Sequence, residues 1–436
     1  MHTEAEAMST ALSRIALKAK ENPKIRFTSL AHLLTPVFLR ETWKQMNRRA
    51  ASGIDGETME EFESNLDQRI EELVEQLKAG SYKAPLIRRV EIPKGNGKTR
   101  PLGISTVADR LVQRAVARLL VAVYEQDFLE VSYGYRPGRG PHEALKMLRS
   151  QIVTKKVRHV YEADIRGYFT KISHQWLRKM VAHRIADKTI LRLVNKWLKA
   201  GVMENGVVVK PENGVPQGGP ISCVLANIYL HYVLDLWFEK KFKNICQGEA
   251  YLTRFVDDFV CCFEYKRDAE RLSRQLVARM RKFGLELATE KTRMLKFGRF
   301  AREDLVQYNA KPKTFEFLGF KHVCGLDNTG NFALIRIPKQ KSCREFLNRT
   351  KEWLKRHAHW KRRDQQKHLT MMLKGFYQYF ALNHCKRKLQ WLLWEVRRQW
   401  RRCITRQSQR HRTFWCYLWS RDWFKLPNAK VLHPEV

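Results

Sequence analysis

Three aspartates have the type and placing for phosphoryl chemistry: Asp164, and the adjacent pair Asp257–Asp258. Asp164 ends VRHVYEAD (157–164), which alternates like a strand. The pair lies where the two β-rich runs of YLTRFVDDFVCCFEY (251–265) meet, and so reads as a hairpin tip. Strand alternation would send Phe255 and Asp257 to one face and Val256 to the other. Carboxylates crowded among apolar residues are costly unless something neutralises them. A divalent metal does this. Two Mg²⁺ ions roughly 3.5–4 Å apart can clamp the attacking and leaving oxygens of an in-line transfer. Mg²⁺ needs only one or two carboxylates plus substrate phosphates, which suits so sparse an acid set. An Asp-Asp dipeptide alone is usually a solvated turn, so the reading depends on its neighbours.

Two neighbours matter. Asn213-Gly214-Val215-Pro216-Gln217-Gly218-Gly219-Pro220 is a rigid turn running into a helix. Its glycines let backbone approach a nucleotide closely, and Gln217 can hydrogen-bond one. Ile92-Pro93-Lys94-Gly95-Asn96-Gly97-Lys98-Thr99-Arg100-Pro101 is a Gly-rich hairpin whose Lys94 and Arg100 could fold over a triphosphate. Each alone is also an ordinary surface hairpin or turn.

The elements that must position these groups follow from periodicity. RRVEIPKGNGKTRPLGI (88–104) reads as strand, turn, strand, and HQWLRKMVAHRI (174–185) as a helix. ISCVLANIYLHYVLDLWFEKK (221–241) reads as a long buried helix, and RDAERLSRQLVARMRKFG (267–284) as an amphipathic one. This order predicts an α+β layer, not a doubly wound sheet. Residues 1–80 read as mostly helical, with a turn at Gly53–Gly56. Residues 341–436 carry 24 Lys/Arg against 6 Asp/Glu and 8 of the 12 tryptophans, on segments with i, i+3, i+4 apolar spacing. They read as a basic helical unit whose charged face suits a phosphate backbone.

The whole chain agrees. Its 436 residues are enough for two or three domains. Lys plus Arg is 82 and Asp plus Glu 44, a net +38, with a pI near 10.1. Such an excess points to a nucleic acid partner and away from an ordinary small-metabolite enzyme. Nine cysteines with no C-x-x-C pair predict reduced thiols and a cytoplasmic setting, not a disulfide or zinc framework. No apolar run approaches the ~20 residues of a membrane span, so no membrane partner is expected. MHTEAEAMSTALSR lacks the pattern of a secretory signal.

The motifs together resemble the reverse transcriptases of bacterial group II introns and their group II-like relatives. Matching stretches run in the family's order from Arg26 to Pro434: RFTSLAHLLTPVFLRETW, GIDGETMEEF, IPKGNGKTRPLGIST, SYGYRPGRGPHEAL, EADIRGYF, GVPQGGPIS with LANIYLHY, FVDD, FGLELATEKT, FEFLGF and the terminal LP and LHP. The resemblance implies a right-hand polymerase. It would have an N-terminal helical extension (1–80), fingers and palm (81–338) and an α-helical thumb (339–436), without the endonuclease domain that many relatives append. It implies an RNA-directed DNA polymerase that extends a DNA or RNA primer on an RNA template with dNTPs. Two Mg²⁺ ions would serve it, with Mn²⁺ able to substitute. Asp164 and Asp257 would bridge the metals, Asp258 would accompany them and Ile165 would lend a backbone carbonyl. Lys94 and Arg100 would meet the triphosphate, with Gln217 beside the nucleotide. Phe169 would exclude a 2′-OH, and Lys291 would protonate pyrophosphate. Phe317, Leu318 and Gly319 would form the primer grip.

Some positions depart from the family. Phe255-Val256 stands where Tyr-Ala is typical, Thr170 where an acid is common, and Cys223 where a Pro is common. The resemblance allows two biological roles. One is an intron-encoded maturase that binds and copies its cognate group II intron RNA. The other is a domesticated enzyme of DNA repair or phage defence. A splicing factor with a dead polymerase would be expected to lack an acid, and all three are present.

Overall fold

The computed structural model describes residues 2–95, 98–204, 206–300, 313–407 and 414–436. The first 80 residues form α1 (His2–Glu21), α2 (Pro36–Lys44), α3 (Met59–Ser64) and α4 (Leu66–Lys78), helical as expected. Local chemistry starts two of them. The Thr35 side chain accepts from the Phe38 amide at the head of α2, and Thr58 and Glu61 form a reciprocal capping box on α3. Each occupies amides that have no partner within the helix.

The expected strand pair follows as β1 (Ile87–Gly95) and β2 (Lys98–Ile104), in register from Arg88↔Ile104 to Gly95↔Lys98. Next come α5 (Val107–Tyr124), α6 (Pro141–Thr154), β3 (His159–Asp164), the short α7 (Tyr168–Lys171), α8 (His174–Arg184) and α9 (Lys188–Leu198). Two further strands, β4 (Val202–Glu204) and β5 (Val207–Val209), have no counterpart among the elements expected from periodicity. They add to β1 and make a four-stranded sheet ordered β2-β1-β4-β5. Both are only three residues long, too short for a period to register.

α10 (Pro220–Leu230) opens the long helix expected over 221–241. The helical run continues to Ile245 but widens into π-helical turns at His231–Asp235 and Phe238–Phe242. By length and composition this 26-residue run could cross a membrane, which corrects the expectation that no segment approaches that limit. It is instead the core helix of the fold, with 78% of its most apolar window buried.

β6 (Ala250–Phe255), β7 (Asp258–Phe263), α11 (Lys266–Lys282) and β8 (Arg293–Lys296) complete an antiparallel sheet ordered β6-β7-β3-β8. A second sheet joins β9 (Thr314–Phe317), β10 (Phe320–Leu326) and β11 (Phe332–Pro338) in the order β11-β10-β9. The basic C-terminal segment forms α12 (Gln340–Arg356), α13 (Arg362–Phe380), α14 (Lys386–Thr405) and the short α15 (Trp415–Trp419).

The sheet holding β3 and β7 is buried on both faces. Tyr161, Ala163, Phe259 and Cys261 enter one core, shared with α1–α5 and α8–α11. Val160, Val260 and Cys262 enter a second, shared with α6, β9–β11 and the C-terminal helices. Burial on both faces explains why Phe259-Val260-Cys261-Cys262-Phe263 is continuously apolar, since alternate residues face different cores. All nine cysteines are free thiols, as expected.

Candidate active site

The register of β3 against β7 sets Asp164 directly opposite Asp258. Directly paired antiparallel residues lie about 4.5–5.5 Å apart, so two carboxylates share one end of the sheet. Phe255 also pairs with Asp258. The two-residue turn is therefore Val256–Asp257, and Asp258 already belongs to β7, one residue from the expected tip. Val256 has φ 60°. It leaves the strand, so the alternation expected for Phe255, Val256 and Asp257 does not hold. A β-branched residue in the left-handed region is strained, by roughly 1–2 kcal/mol.

A buried network restrains this turn. Arg254 is fully buried and forks onto Asp235 at 2.7 and 2.5 Å. The same guanidinium donates to Ser132 Oγ (2.7 Å), Asn227 Oδ1 (3.2 Å) and the Val256 carbonyl (2.9 Å). Asn227 Nδ2 donates to the Gly134 carbonyl at 2.6 Å. A Cβ at Gly134 would lie 2.4 Å from Val256 Cγ2, so only glycine lets the turn sit there. This network joins residues too far apart in the chain to show as a motif. Its one signal in the sequence is an arginine inside a largely apolar strand.

Burial, then the charge of Asp164, pushes the Asp258 carboxyl up to about 7, with Asp257 adding to it and Lys339 opposing. Lys291 supplies nearby positive charge. Its ammonium donates to Asp164 Oδ2, and that bond raises the lysine. Lys291 reaches so distant a residue because its segment zips along the end of β3. The Arg166 amide donates to the Glu286 carbonyl, Ile165 bridges Leu287, and the Ala288 amide donates to the Asp164 carbonyl (2.8 Å).

The second group of expected residues surrounds the PQGG turn. Phe169, on α7, is buried, and its carbonyl accepts from the Val215 amide at 2.7 Å. The Gln217 carbonyl accepts from the Gly103 amide at 2.7 Å, docking β2 onto the turn. A Cβ at Gly218 (φ +125°) would lie 2.7 Å from the Gly103 oxygen, so this docking requires glycine. Between the two elements is a cavity of about 210 Å³ bordered by Arg89, Gly103, Thr170, Pro216 and Gln217. Arg100 is exposed on β2. The side chain of Lys94 and the tip residues Asn96 and Gly97 lie outside the described residues.

Phe317-Leu318-Gly319-Phe320 forms a second two-residue turn, between β9 and β10. Leu318 (φ 47°) and Gly319 (φ 78°) are both left-handed, the pattern of a type I′ hairpin. Tyr379 Oη donates to the Leu318 carbonyl and the Lys339 amide to the Gly319 carbonyl, each at 2.9 Å. The Lys339 ammonium pairs with Glu316 of β9 at 3.2 Å, and its charge also opposes the upward shift of Asp258. Farther along, α12 and α14 enclose a groove of about 600 Å³ bordered by Arg344, Lys351, Lys355, Arg402 and Arg406, with no carboxylate among its lining residues. Such a groove suits a polyanion.

Asp164 and Asp258 face one another across the ladder with Asp257 on the adjoining turn, and such carboxylates are hard donors of the kind divalent cations take, although among the described residues no three His, Cys, Asp or Glu side chains already converge on one point. The fold is a mixed helix–sheet one in which the strand pairing brings acidic residues together at one end of a central sheet. Residues 92–322, more than half of the chain, match the family described as reverse transcriptase (RNA-dependent DNA polymerase), and the chain belongs to that family. It is 36% identical over 225 residues to Protein YkfC of Escherichia coli (strain K12), covering 50% of this chain and 59% of that protein. It is 37% identical over 237 residues to the group II intron-encoded protein LtrA of Lactococcus lactis subsp. cremoris, covering 53% and 39%. Nuclear intron maturase 4, mitochondrial, of Arabidopsis thaliana is 27% identical over 130 residues, covering 30% and 16%. Two of these relatives are named as an intron-encoded protein and an intron maturase, and the chain spans less than two thirds of the length of each of the three.

Proposed function

We propose that the chain is an RNA-directed DNA polymerase that adds dNTPs to a DNA or RNA primer on an RNA template. The observation that carries this reading is the pairing of Asp164 with Asp258, with Asp257 on the adjoining turn. Mg²⁺, or Mn²⁺ in its place, would be held by Asp164, Asp257 and Asp258 with the Ile165 carbonyl. When bound it would activate the primer 3′-hydroxyl and stabilise charge on the phosphates.

The chain's own groups do the rest. Lys291, bonded to Asp164, would give a proton to departing pyrophosphate. Gln217, whose carbonyl docks Gly103 of β2, and Arg100, on that same strand, would orient base and triphosphate, and Lys94 belongs to the same hairpin. Phe169 sits under the PQGG turn, where its ring would exclude a 2′-OH. The Phe317–Gly319 turn would hold the primer end. In this reading β1 and β2 would serve as fingers, the β6-β7-β3-β8 sheet as palm and α12–α15 as thumb, with the α12–α14 groove following the duplex backbone. Nine free thiols favour a reducing cytoplasm.

The test is Asp257→Asn or Asp164→Asn. Losing a metal ligand should cut dNTP incorporation on an RNA template more than ~100-fold, beyond the usual effect of changing an outer-shell partner. The unfolding midpoint should hold or rise as negative charge is relieved. Full activity in Asp257→Asn would overturn the assignment. Relatives named as intron-encoded protein and intron maturase favour copying of a cognate group II intron RNA. The Phe255-Val256 departure favours a domesticated role in repair or defence. Intron RNA domains flanking the gene would decide for the first.

A further inference from the structure

The polymerase reading leaves one surface of the C-terminal helices unused. On α14 the basic groove takes Trp391, Arg402 and Arg406. About a third of a turn around the same helix, Trp394, Arg397 and Arg401 follow at i, i+3 and i+7 and meet α15 instead. Their rings and cations interleave. Trp394 stacks on Trp415 (centroids 4.7 Å, 22° between planes), and Trp415 on Trp419 (5.7 Å, 19°). The Arg401 guanidinium lies 4.8 Å over Trp415, Arg397 4.7 Å over Trp419, and Arg421 4.4 Å over Tyr417.

Packing does not explain the outer rings. Trp400, Leu418 and Phe424 are fully buried and already hold α15 against α14, with Trp400 stacked on Phe424 at 4.8 Å. Trp394, Tyr417 and Trp419 remain more than two-fifths exposed. Arg397 Nε is a buried donor with no hydrogen-bond partner. The nearby acids are engaged elsewhere, Glu395 by Arg398 (2.8 Å) and Asp422 by Lys425 (2.6 Å), so the field over the rings is positive.

We infer that this ladder is a docking platform for unpaired RNA. Exposed indole and phenol rings take the π-faces of bases, and guanidinium planes both stack on bases and meet phosphate. The charge excludes an apolar partner, and cations already lying on ring faces suit bases better than the carboxylates of an acidic peptide. The choice of RNA rests on the proposed polymerase function, because the template is the long single strand such an enzyme must hold. The helix face differs from the one bordering the α12–α14 groove, so duplex and single strand are held separately.

The experiment compares the full chain with Trp394→Leu/Trp419→Leu and Trp394→Phe/Trp419→Phe variants. The probes are a flush RNA–DNA duplex and the same duplex with an unpaired oligouridine flank on its RNA strand. Binding is measured in EDTA without dNTP, so failure of the catalytic reading would be seen separately in the Asp257→Asn assay. The flank should tighten wild-type binding about tenfold or more, as stacking of one or two bases allows. The Leu pair should abolish that gain and the Phe pair retain it, with flush-duplex affinity unchanged in both. A gain that survives in the Leu pair, an equal loss on the flush duplex, or an equal gain from a DNA flank would overturn the assignment. Should the Leu pair unfold, photo-crosslinking of oligouridine to the wild-type chain decides. Adducts at Trp394, Tyr417 or Trp419 are expected, and adducts only elsewhere would overturn it.

Discussion

Two turns of two residues border the acid cluster, and they are held in different ways. The Val256–Asp257 turn is fastened from inside the first core, by a fully buried arginine paired with Asp235. The Leu318–Gly319 turn is fastened by neutral bonds, from Tyr379 on α13 and the Lys339 amide at the head of α12. Each places a side-chain-bearing residue at positive φ. The acid turn therefore keeps its place relative to the long core helix. The Leu318 turn keeps its place relative to the C-terminal helices. A charge buried in this way adds little stability overall but makes its partner's loss costly, so it holds one geometry. Neutral bonds of about 1 kcal/mol hold less stringently.

The largest expected effect tests the charged brace. Arg254→Met leaves Asp235 buried and unpaired, and should cost about 3–5 kcal/mol in denaturant unfolding. Arg254→Met/Asp235→Leu should recover most of that stability. Its dNTP incorporation should stay at least ~10-fold low, because nothing then holds the Val256 carbonyl. Activity that returned together with stability would make the network structural only and remove the contrast between the turns.

Next comes acid sensitivity near the second turn. His322, on β10, is fully buried and stacked on Phe315 at 4.5 Å. Burial, with Arg336 and Lys339 nearby, pushes it down to about 3. The unfolded chain takes up this proton near pH 6.5 while the folded chain refuses it. Stability is therefore lost as pH falls from about 6.5 toward 3. At pH 4.5 the wild type should have lost about 2–3 kcal/mol through this group, and His322→Phe should not. His231 in the first core, pushed down to about 4, adds an acid slope common to both proteins. Parallel stability curves for the two proteins at pH 7 and 4.5 would refute the assignment.

The smallest effect separates the turns by packing. Val256→Gly relieves strain but removes a buried side chain, and should cost about 2 kcal/mol. Leu318 is only half-buried, and Leu318→Gly should stay within about 1 kcal/mol of wild type, strain relief offsetting lost contact. Equal costs would mean that the two turns are held alike.

Much of this was legible in the residues themselves. The acids, the PQGG turn, the β1–β2 hairpin and the amphipathic helices are local patterns, and local patterns follow from backbone sterics and apolar period. Asp164, Asp257 and Asp258 could be chosen because carboxylates are rare amid apolar runs. Their exact setting was not legible. A two-residue turn slips by one position without changing the hydrophobic pattern, so only cross-strand pairing put Val256, not Asp258, in it. β4 and β5 were too short to carry a period. The Arg254–Asp235–Ser132 network joins residues far apart in the chain, and a buried charge is recognisable only once its partners surround it. What the sequence determined by itself was the kinds of groups present and the elements that carry them. What the tertiary structure alone decided was register and burial, because these depend on which distant strand or helix removes a group from water.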